Sequence, residues 1–246
     1  MGYREDDDLN FLQYIKSEDL NDLVECITKG KNGELRITEE LTMSDGYKKY
    51  YPDHNKYWKN IASEIQLFGA NSIISLFRLG KGVLYREVLE DVCSKLKVNY
   101  NTKSETAVIE RNLLQKIVED SLENLSQEDK IKLAKDMGIS DPLLLTGEAL
   151  TSSLIFAFKQ GGFKSYQLTL KVVNIIWKAL FGKGLSFATN STIAKTLSIA
   201  TGPIGWTVTG LWTLNDIASP AYRVTIPSVI QVAQLRIKHE NSKLNK

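Results

Sequence analysis

The sequence predicts an all-α protein, a multi-helix bundle that carries an apolar helical hairpin rich in small residues near its C-terminus. Apolar residues recur at helical spacing along almost the whole chain. No stretch alternates apolar and polar residues for long enough to indicate a sheet. The composition, 43% hydrophobic and 24% charged over 246 residues, is that of a folded water-soluble chain and excludes a collagen, a disordered tail or a polytopic membrane protein.

Two helices are predicted within the first 70 residues. The first is amphipathic, with Ser17 as its expected N-cap; its buried face comprises Leu20, Leu23, Val24 and Ile27. The second is expected over residues 55–68 and should end at Gly69, for which we predict a left-handed backbone conformation.

Three further helices are predicted in the central part of the chain. One helix is predicted after the tight connection at Gly80–Gly82, from an apolar face of Leu89, Val92, Cys93 and Leu96. The next is predicted from a stripe that contains Ile109, Leu113 and Ile117, flanked by Leu114, Val118 and Leu122. Ser126 and Asp129 have the spacing of an N-terminal capping pair, and the helix that they begin is expected to end at Gly138.

The last hundred residues are more apolar than the rest. In the helix predicted over residues 166–181, a narrow polar stripe contains Lys171 and Lys178, with Lys164 close to it, and most of the remaining circumference is apolar. A helix of this kind is either central in a protein core or in contact with lipid.

Residues 196–214 form a run of 19 residues without a charged side chain. The run is nearly long enough to span a bilayer, but five threonines, three glycines and Pro203 make insertion less favourable. We therefore predict a hairpin that turns at Gly202–Gly205 and packs inside the protein, in preference to a membrane span. A last helix is expected to follow Ser219, with Pro227 as a kink or a break.

Charge is distributed unevenly along the chain. Residues 1–45 carry 12 acidic and 5 basic side chains, whereas residues 151–246 carry 2 acidic and 11 basic ones. We divide the chain into an acidic N-terminal helical segment, 1–45, a central helical domain, 46–141, and a basic apolar C-terminal region, 142–246. The basic region is expected either to bind an external anionic surface or to pair with the acidic N-terminus of the same chain.

The sequence lacks the motifs of common enzyme classes. The phosphate-loop pattern fails at both Lys81 and Lys183, and GxGxxG, GxSxG and HExxH do not occur. Cys26 and Cys93 do not have the paired spacing of metal ligands, and we expect Cys93 to be a buried apolar residue. We therefore expect no cofactor and no catalytic residue.

Charged residues are clustered near the start of the helix predicted after Gly82. Arg86, Glu87, Glu90 and Asp91 lie within two turns of a predicted helix. Carboxylates one turn apart can hold a divalent cation or share a proton, and a metal-dependent enzyme is therefore an alternative function. An ordinary ion pair on a solvated helix face is the favoured interpretation.

Aromatic and basic residues are interleaved in the segment YKKYYPDHNKYWK, residues 47–59. Aromatic rings among lysines can stack on nucleobases. Aromatic packing around a loop is nevertheless favoured, because nucleic-acid-binding domains are usually basic overall, and nucleic acid is not the expected partner. His54 is expected at the surface or in a helix cap.

Three blocks of the sequence resemble the YaaW family of bacterial proteins. They are DDLNFLQYIKSEDLNDLV at residues 7–24, YWKNIASEIQLFGANSIISLFRLGKGVLYREVLEDVCSKLKV at 57–98 and SPAYRVTIPSVIQVAQLR at 219–236. The central region of that family is similar to the ubiquinol–cytochrome c chaperone domain, a helical assembly factor. The resemblance implies a chaperone-like or adaptor role, and it transfers no catalytic residue.

The sequence thus predicts a cytoplasmic bacterial protein that works by binding, as an adaptor or chaperone-like protein. Its basic apolar C-terminal third is expected to contact a protein partner or the inner surface of the membrane. The candidate contact residues are Lys164, Lys171, Lys178, Trp206, Trp212 and Arg223. A second alternative is a conditional membrane-inserting effector that uses the hairpin at residues 196–214.

Overall fold

The computed structural model describes residues 3–30, 33–36, 40–72, 82–160, 162–181, 185–186 and 222–244. Within these ranges the chain forms nine α-helices and four short 3-10 helices, and its one extended pairing is an isolated bridge between Lys29 and Leu35. The predicted all-α bundle is confirmed. The hairpin predicted at residues 196–214 lies outside the described ranges.

The α-helices are numbered along the chain. They are α1 (Ser17–Thr28), α2 (Asp45–Tyr50), α3 (Trp58–Ser72), α4 (Tyr85–Lys95), α5 (Thr106–Asn124), α6 (Gln127–Asp136), α7 (Gly147–Lys159), α8 (Gly162–Phe181) and α9 (Tyr222–Leu244). The 3-10 helices span Asn10–Tyr14, Leu41–Met43, His54–Tyr57 and Pro142–Leu145.

One of the two predicted N-caps, Ser126, is confirmed, and the other, Ser17, is wrong. The Ser126 hydroxyl accepts a hydrogen bond from the Asp129 amide at 3.2 Å, and Gly138 adopts a φ of 78° just after α6, so the predicted cap and end of this helix are confirmed. Ser17 is already inside α1 and is not its N-cap. Its hydroxyl instead donates to the Asn55 side chain at 3.0 Å, which joins α1 to the 3-10 helix before α3.

Gly69 does not end a helix, and the predicted left-handed conformation is wrong. Helix α3 continues through Gly69 to Ser72, and Gly69 is not among the glycines of positive φ in the described chain. A Cβ atom on Gly69 would overlap Cγ2 of Val88 and lie 3.0 Å from Cγ2 of Val83. Glycine is needed here because α3 and α4 approach each other closely.

Helix α9 is the central element of the described structure. Every residue from 224 to 235 is buried, and the helix packs against α1, α3, α4, α5 and α8. Pro227 lies inside this one continuous helix, so the chain does not restart there. A helix that is buried on all sides belongs to the core of a bundle.

Among the described residues, no helix combines the length and the apolar character that crossing a membrane requires.

Candidate functional site

A buried charged cluster joins the N-terminal segment, the central helices and α9. We define it as Asp8, Tyr85, Glu110 and Arg236. The Arg236 Nε atom donates to Glu110 Oε2 at 2.6 Å, and its Nη2 atom donates to the Asp8 backbone carbonyl, also at 2.6 Å. The Tyr85 hydroxyl donates to Glu110 Oε1 at 2.7 Å. Four separate parts of the chain therefore meet at the ion pair of Arg236 and Glu110.

The environment of Glu110 determines what this cluster can do. Glu110 is 2% exposed, and burial raises the pKa of its carboxyl group. The Arg236 guanidinium also lies 4.4 Å from the centre of the Phe11 ring. Because the carboxylate is enclosed by these groups, the cluster fixes the position of α9 rather than presenting a reactive group to solvent.

Further acidic residues of the N-terminal segment bind the C-terminal region. Lys238 of α9 forms an ion pair with Asp19 of α1 at 2.5 Å. The fully buried Asp22 carboxylate accepts hydrogen bonds from the Ser186 amide at 2.9 and 2.8 Å. The ion pair of Lys238 with Asp19 thus joins a basic residue of the C-terminal region to an acidic residue of the N-terminal segment, and Asp22 adds a hydrogen bond to the backbone of the C-terminal region.

The predicted cluster of Arg86, Glu87, Glu90 and Asp91 lies on α4, and each member has a partner in the fold. Arg86 donates to Glu90 at 2.6 Å, and its Nη atoms donate to the carbonyls of Thr102 and Ser104. Glu87 caps the start of α4 at the Leu84 amide, and Asp91 accepts from the Tyr222 hydroxyl at 3.1 Å. In the part of the chain that is described, no group of histidine, cysteine and acidic side chains could hold a metal ion.

The candidate contact residues of the C-terminal region have different positions. Lys171 is 3% exposed and pairs with Asp136 of α6 at 2.7 Å, so it lies inside the bundle and not on the expected binding surface. Arg223 is exposed in the first turn of α9. Trp206 and Trp212 lie outside the described residues, as do the side chains of Lys164 and Lys178.

The aromatic segment packs largely on itself. The Tyr47 ring lies 4.9 Å from that of Tyr51 and 5.6 Å from that of Tyr57, which is the loop packing that the sequence favoured. His54 is 3% exposed, so the expected surface position is wrong, and Asp53, not His54, is the N-cap of the 3-10 helix that begins here. Its Nε2 atom donates to the Asn21 side chain at 2.7 Å, its Nδ1 atom accepts from the Tyr57 hydroxyl, and burial lowers its pKa.

Both cysteines are buried, as expected for Cys93. Burial raises the pKa of each thiol to about 12, so neither forms a thiolate readily at neutral pH. The Cys26 sulfur lies 3.5 Å from the Ser228 hydroxyl and contributes to the contact between α1 and α9.

An exposed apolar surface begins the C-terminal region. We define it as Leu143, Leu144 and Phe156, which are 80%, 41% and 63% exposed. Phe156 lies on the exposed side of α7, as do Ala149 and Ser152, and Leu143 and Leu144 lie in the 3-10 helix that directly precedes α7. Large apolar side chains exposed within one short stretch of the chain are candidates for a binding surface.

The sequence indicates the exposed apolar surface more clearly than the buried charged cluster. The run PLLL at residues 142–145 indicates a leucine-rich start to the C-terminal region. Glu110 and Arg236 were not singled out, although each interrupts an apolar pattern, Glu110 beside Ile109 and Arg236 between Leu235 and Ile237. A charged residue within the buried stripe of a helix is a signal for a buried ion pair.

Two known protein families match parts of this sequence. Residues 53–230 match the family described as ubiquinol–cytochrome C chaperone, and residues 3–37 match a domain of unknown function, DUF3944. The match over most of the chain identifies a helical protein of the chaperone-like class.

The chain belongs to the UPF0174 (YaaW) family. It is 48% identical to a UPF0174 protein of Helicobacter pylori strain J99 over its whole length, and the match covers 97% of that relative. It is 29% identical to the UPF0174 protein YaaW of Escherichia coli K12 over 96% of each chain. No solved structure matches the chain.

Proposed function

We propose that this chain is a cytoplasmic, non-enzymatic chaperone-like protein that holds a protein partner on the exposed apolar surface of Leu143, Leu144 and Phe156. The observation that carries the proposal is the match to the ubiquinol–cytochrome C chaperone family across residues 53–230, which includes this surface. Apolar side chains exposed to this degree suit a partner with apolar segments of its own.

Three basic residues of the C-terminal region are engaged within the fold and do not offer their charge to an external partner. Lys171, Arg236 and Lys238 all form ion pairs with acidic residues of the same chain. The proposal therefore keeps the C-terminal third as the binding region but assigns the main contact to its apolar residues. The alternative of a membrane-inserting effector depends on residues 196–214, and no described residue favours it.

A double variant tests the proposal. Leu143→Ser/Phe156→Ser should abolish most of the protection that the wild-type protein gives to a heat-labile reporter enzyme, because the variant removes the apolar contact area. Protection is measured by light scattering at equimolar concentration. Both positions are exposed, so the melting temperature should be unchanged.

The matched control is Leu35→Ser/Val108→Ser, which removes exposed apolar side chains from other elements. The control should protect the reporter as well as the wild type does. A wild-type protein that gives no protection, or a Leu143→Ser/Phe156→Ser variant that protects fully, would contradict the proposal.

A further inference from the structure

A second surface combines lysines with aromatic residues on α2 and the elements that follow it. We call it the lysine–tyrosine face and define it as Lys48, Lys49, Tyr51, Lys56 and Lys59. All five residues are exposed, and Tyr51 is 59% exposed. The Nζ atoms of Lys49 and Lys56 lie 5.0 and 5.9 Å from the centre of the same ring, that of Tyr50, so α2 and the next 3-10 helix place their lysines together.

Three of the four lysines of this face form no ion pair with a described carboxylate. Lys56 forms an ion pair with Asp53 at 2.7 Å. No carboxylate of the described residues lies within 4.0 Å of the ammonium groups of Lys48, Lys49 and Lys59. This contrasts with Lys171, Arg236 and Lys238, and it leaves the face able to attract an external anion.

The residue types indicate what kind of anion this is. The face contains lysine and no arginine, whereas discrete carboxylates or phosphates are usually recognised by the two-pronged guanidinium group. Lysines suit a diffuse negative surface. Tyr51 adds an exposed aromatic side chain of the kind that partitions into the boundary between lipid headgroups and acyl chains.

The ring contacts argue against nucleobase stacking. The Tyr50 ring is covered by two lysines, and Trp58 is in contact with Lys59 at 5.7 Å and with the edge of Tyr3. Tyr47 packs against both Tyr51 and Tyr57. Stacking of successive bases would need several open aromatic faces, and of these rings only that of Tyr51 is largely exposed.

We propose that the lysine–tyrosine face docks the protein on an anionic phospholipid surface. The proposal does not rest on the chaperone-like function, because it uses different residues on a different part of the bundle. The protein then lies on the membrane surface through electrostatic attraction and shallow contact of Tyr51, and a partner can occupy the surface of Leu143, Leu144 and Phe156 at the same time.

Sedimentation of the full chain with lipid vesicles tests this proposal. The wild-type protein should bind vesicles of phosphatidylglycerol and phosphatidylcholine at low salt, and it should not bind pure phosphatidylcholine. Lys48→Gln/Lys49→Gln should weaken binding by about 30-fold, because each lysine near such a surface contributes about 1 kcal/mol. Tyr51→Ser should also weaken binding, and this loss should persist at higher salt.

The matched control is Lys103→Gln/Lys135→Gln, which removes two exposed lysines from other faces and should bind vesicles as the wild type does. Three outcomes would overturn the proposal: no binding of the wild type to anionic vesicles, an equal loss in the control, or binding to single-stranded oligonucleotides in place of vesicles. Circular dichroism of each variant verifies that the fold is retained.

Discussion

Replacing Arg236 by methionine is expected to destabilise the protein by about 3–5 kcal/mol. Methionine keeps much of the packing against Phe11, but the Glu110 carboxylate loses its cation while remaining 2% exposed. The Asp8 carbonyl also loses a hydrogen bond. Urea unfolding, monitored by the circular dichroism of the helices, measures the change in the free energy of unfolding.

A second substitution separates the effect of charge from that of packing. In Arg236→Met/Glu110→Gln the side chain at position 110 is neutral, and its amide oxygen can still accept a hydrogen bond from the Tyr85 hydroxyl. The double variant should therefore be more stable than Arg236→Met by at least about 1 kcal/mol. Lys116→Ala, which breaks a half-exposed ion pair with Asp120, should cost less than about 1 kcal/mol. A double variant no more stable than Arg236→Met would show that the buried charge is not the cause.

The pH dependence of Arg236→Met has a definite sign. Burial raises the pKa of Glu110 in the folded protein above its value in the unfolded chain, and loss of the arginine raises it further. The folded state then binds more protons than the unfolded state between the two pKa values. The stability lost in the variant is therefore regained as the pH falls through the folded-state pKa of Glu110.

Gly69→Val is expected to destabilise the protein by about 3 kcal/mol, in the upper part of the range for an overpacked core. The new Cβ would overlap the buried Val88 side chain, and two further methyl groups would have to fit between α3 and α4. The effect comes from this overlap, since valine is tolerated by a helical backbone at modest cost. Thermal unfolding measures the loss directly.

Removing the side chain that Gly69 faces supplies the control. Gly69→Ala should destabilise the wild-type protein, but in a Val88→Ala background it should be much less costly, because Cγ2 of Val88 is then absent. Equal costs in the two backgrounds would contradict close packing of α3 against α4 as the reason for this glycine.

The helices were largely predictable because their signals are local. The stripe of Leu20, Leu23, Val24 and Ile27 and the capping pair of Ser126 and Asp129 depend only on residues within one helix. Gly69 shows where such reasoning fails. A glycine can end a helix or permit a close approach, and only the position of Val88, on another helix, distinguishes the two.

The candidate site was less predictable because it depends on distant pairings. The narrow polar stripe that contains Lys171 was compatible with a core helix or with contact to lipid, and the choice depends on Asp136, 35 residues away. Glu110 and Arg236 are separated by 126 residues. The charge difference between the ends of the chain left internal pairing open, and the ion pair of Asp19 with Lys238 is one contact of that kind.

The acidic N-terminal segment and the central helices belong to one fold, and α9 forms its core. Native-state hydrogen exchange tests this arrangement most directly. The backbone amides of residues 228–235 should be among the slowest to exchange, and their protection should decrease together with that of α1 and α5 as urea is added. Exchange of α9 through a separate opening, at much lower urea than α1 and α5, would contradict the claim.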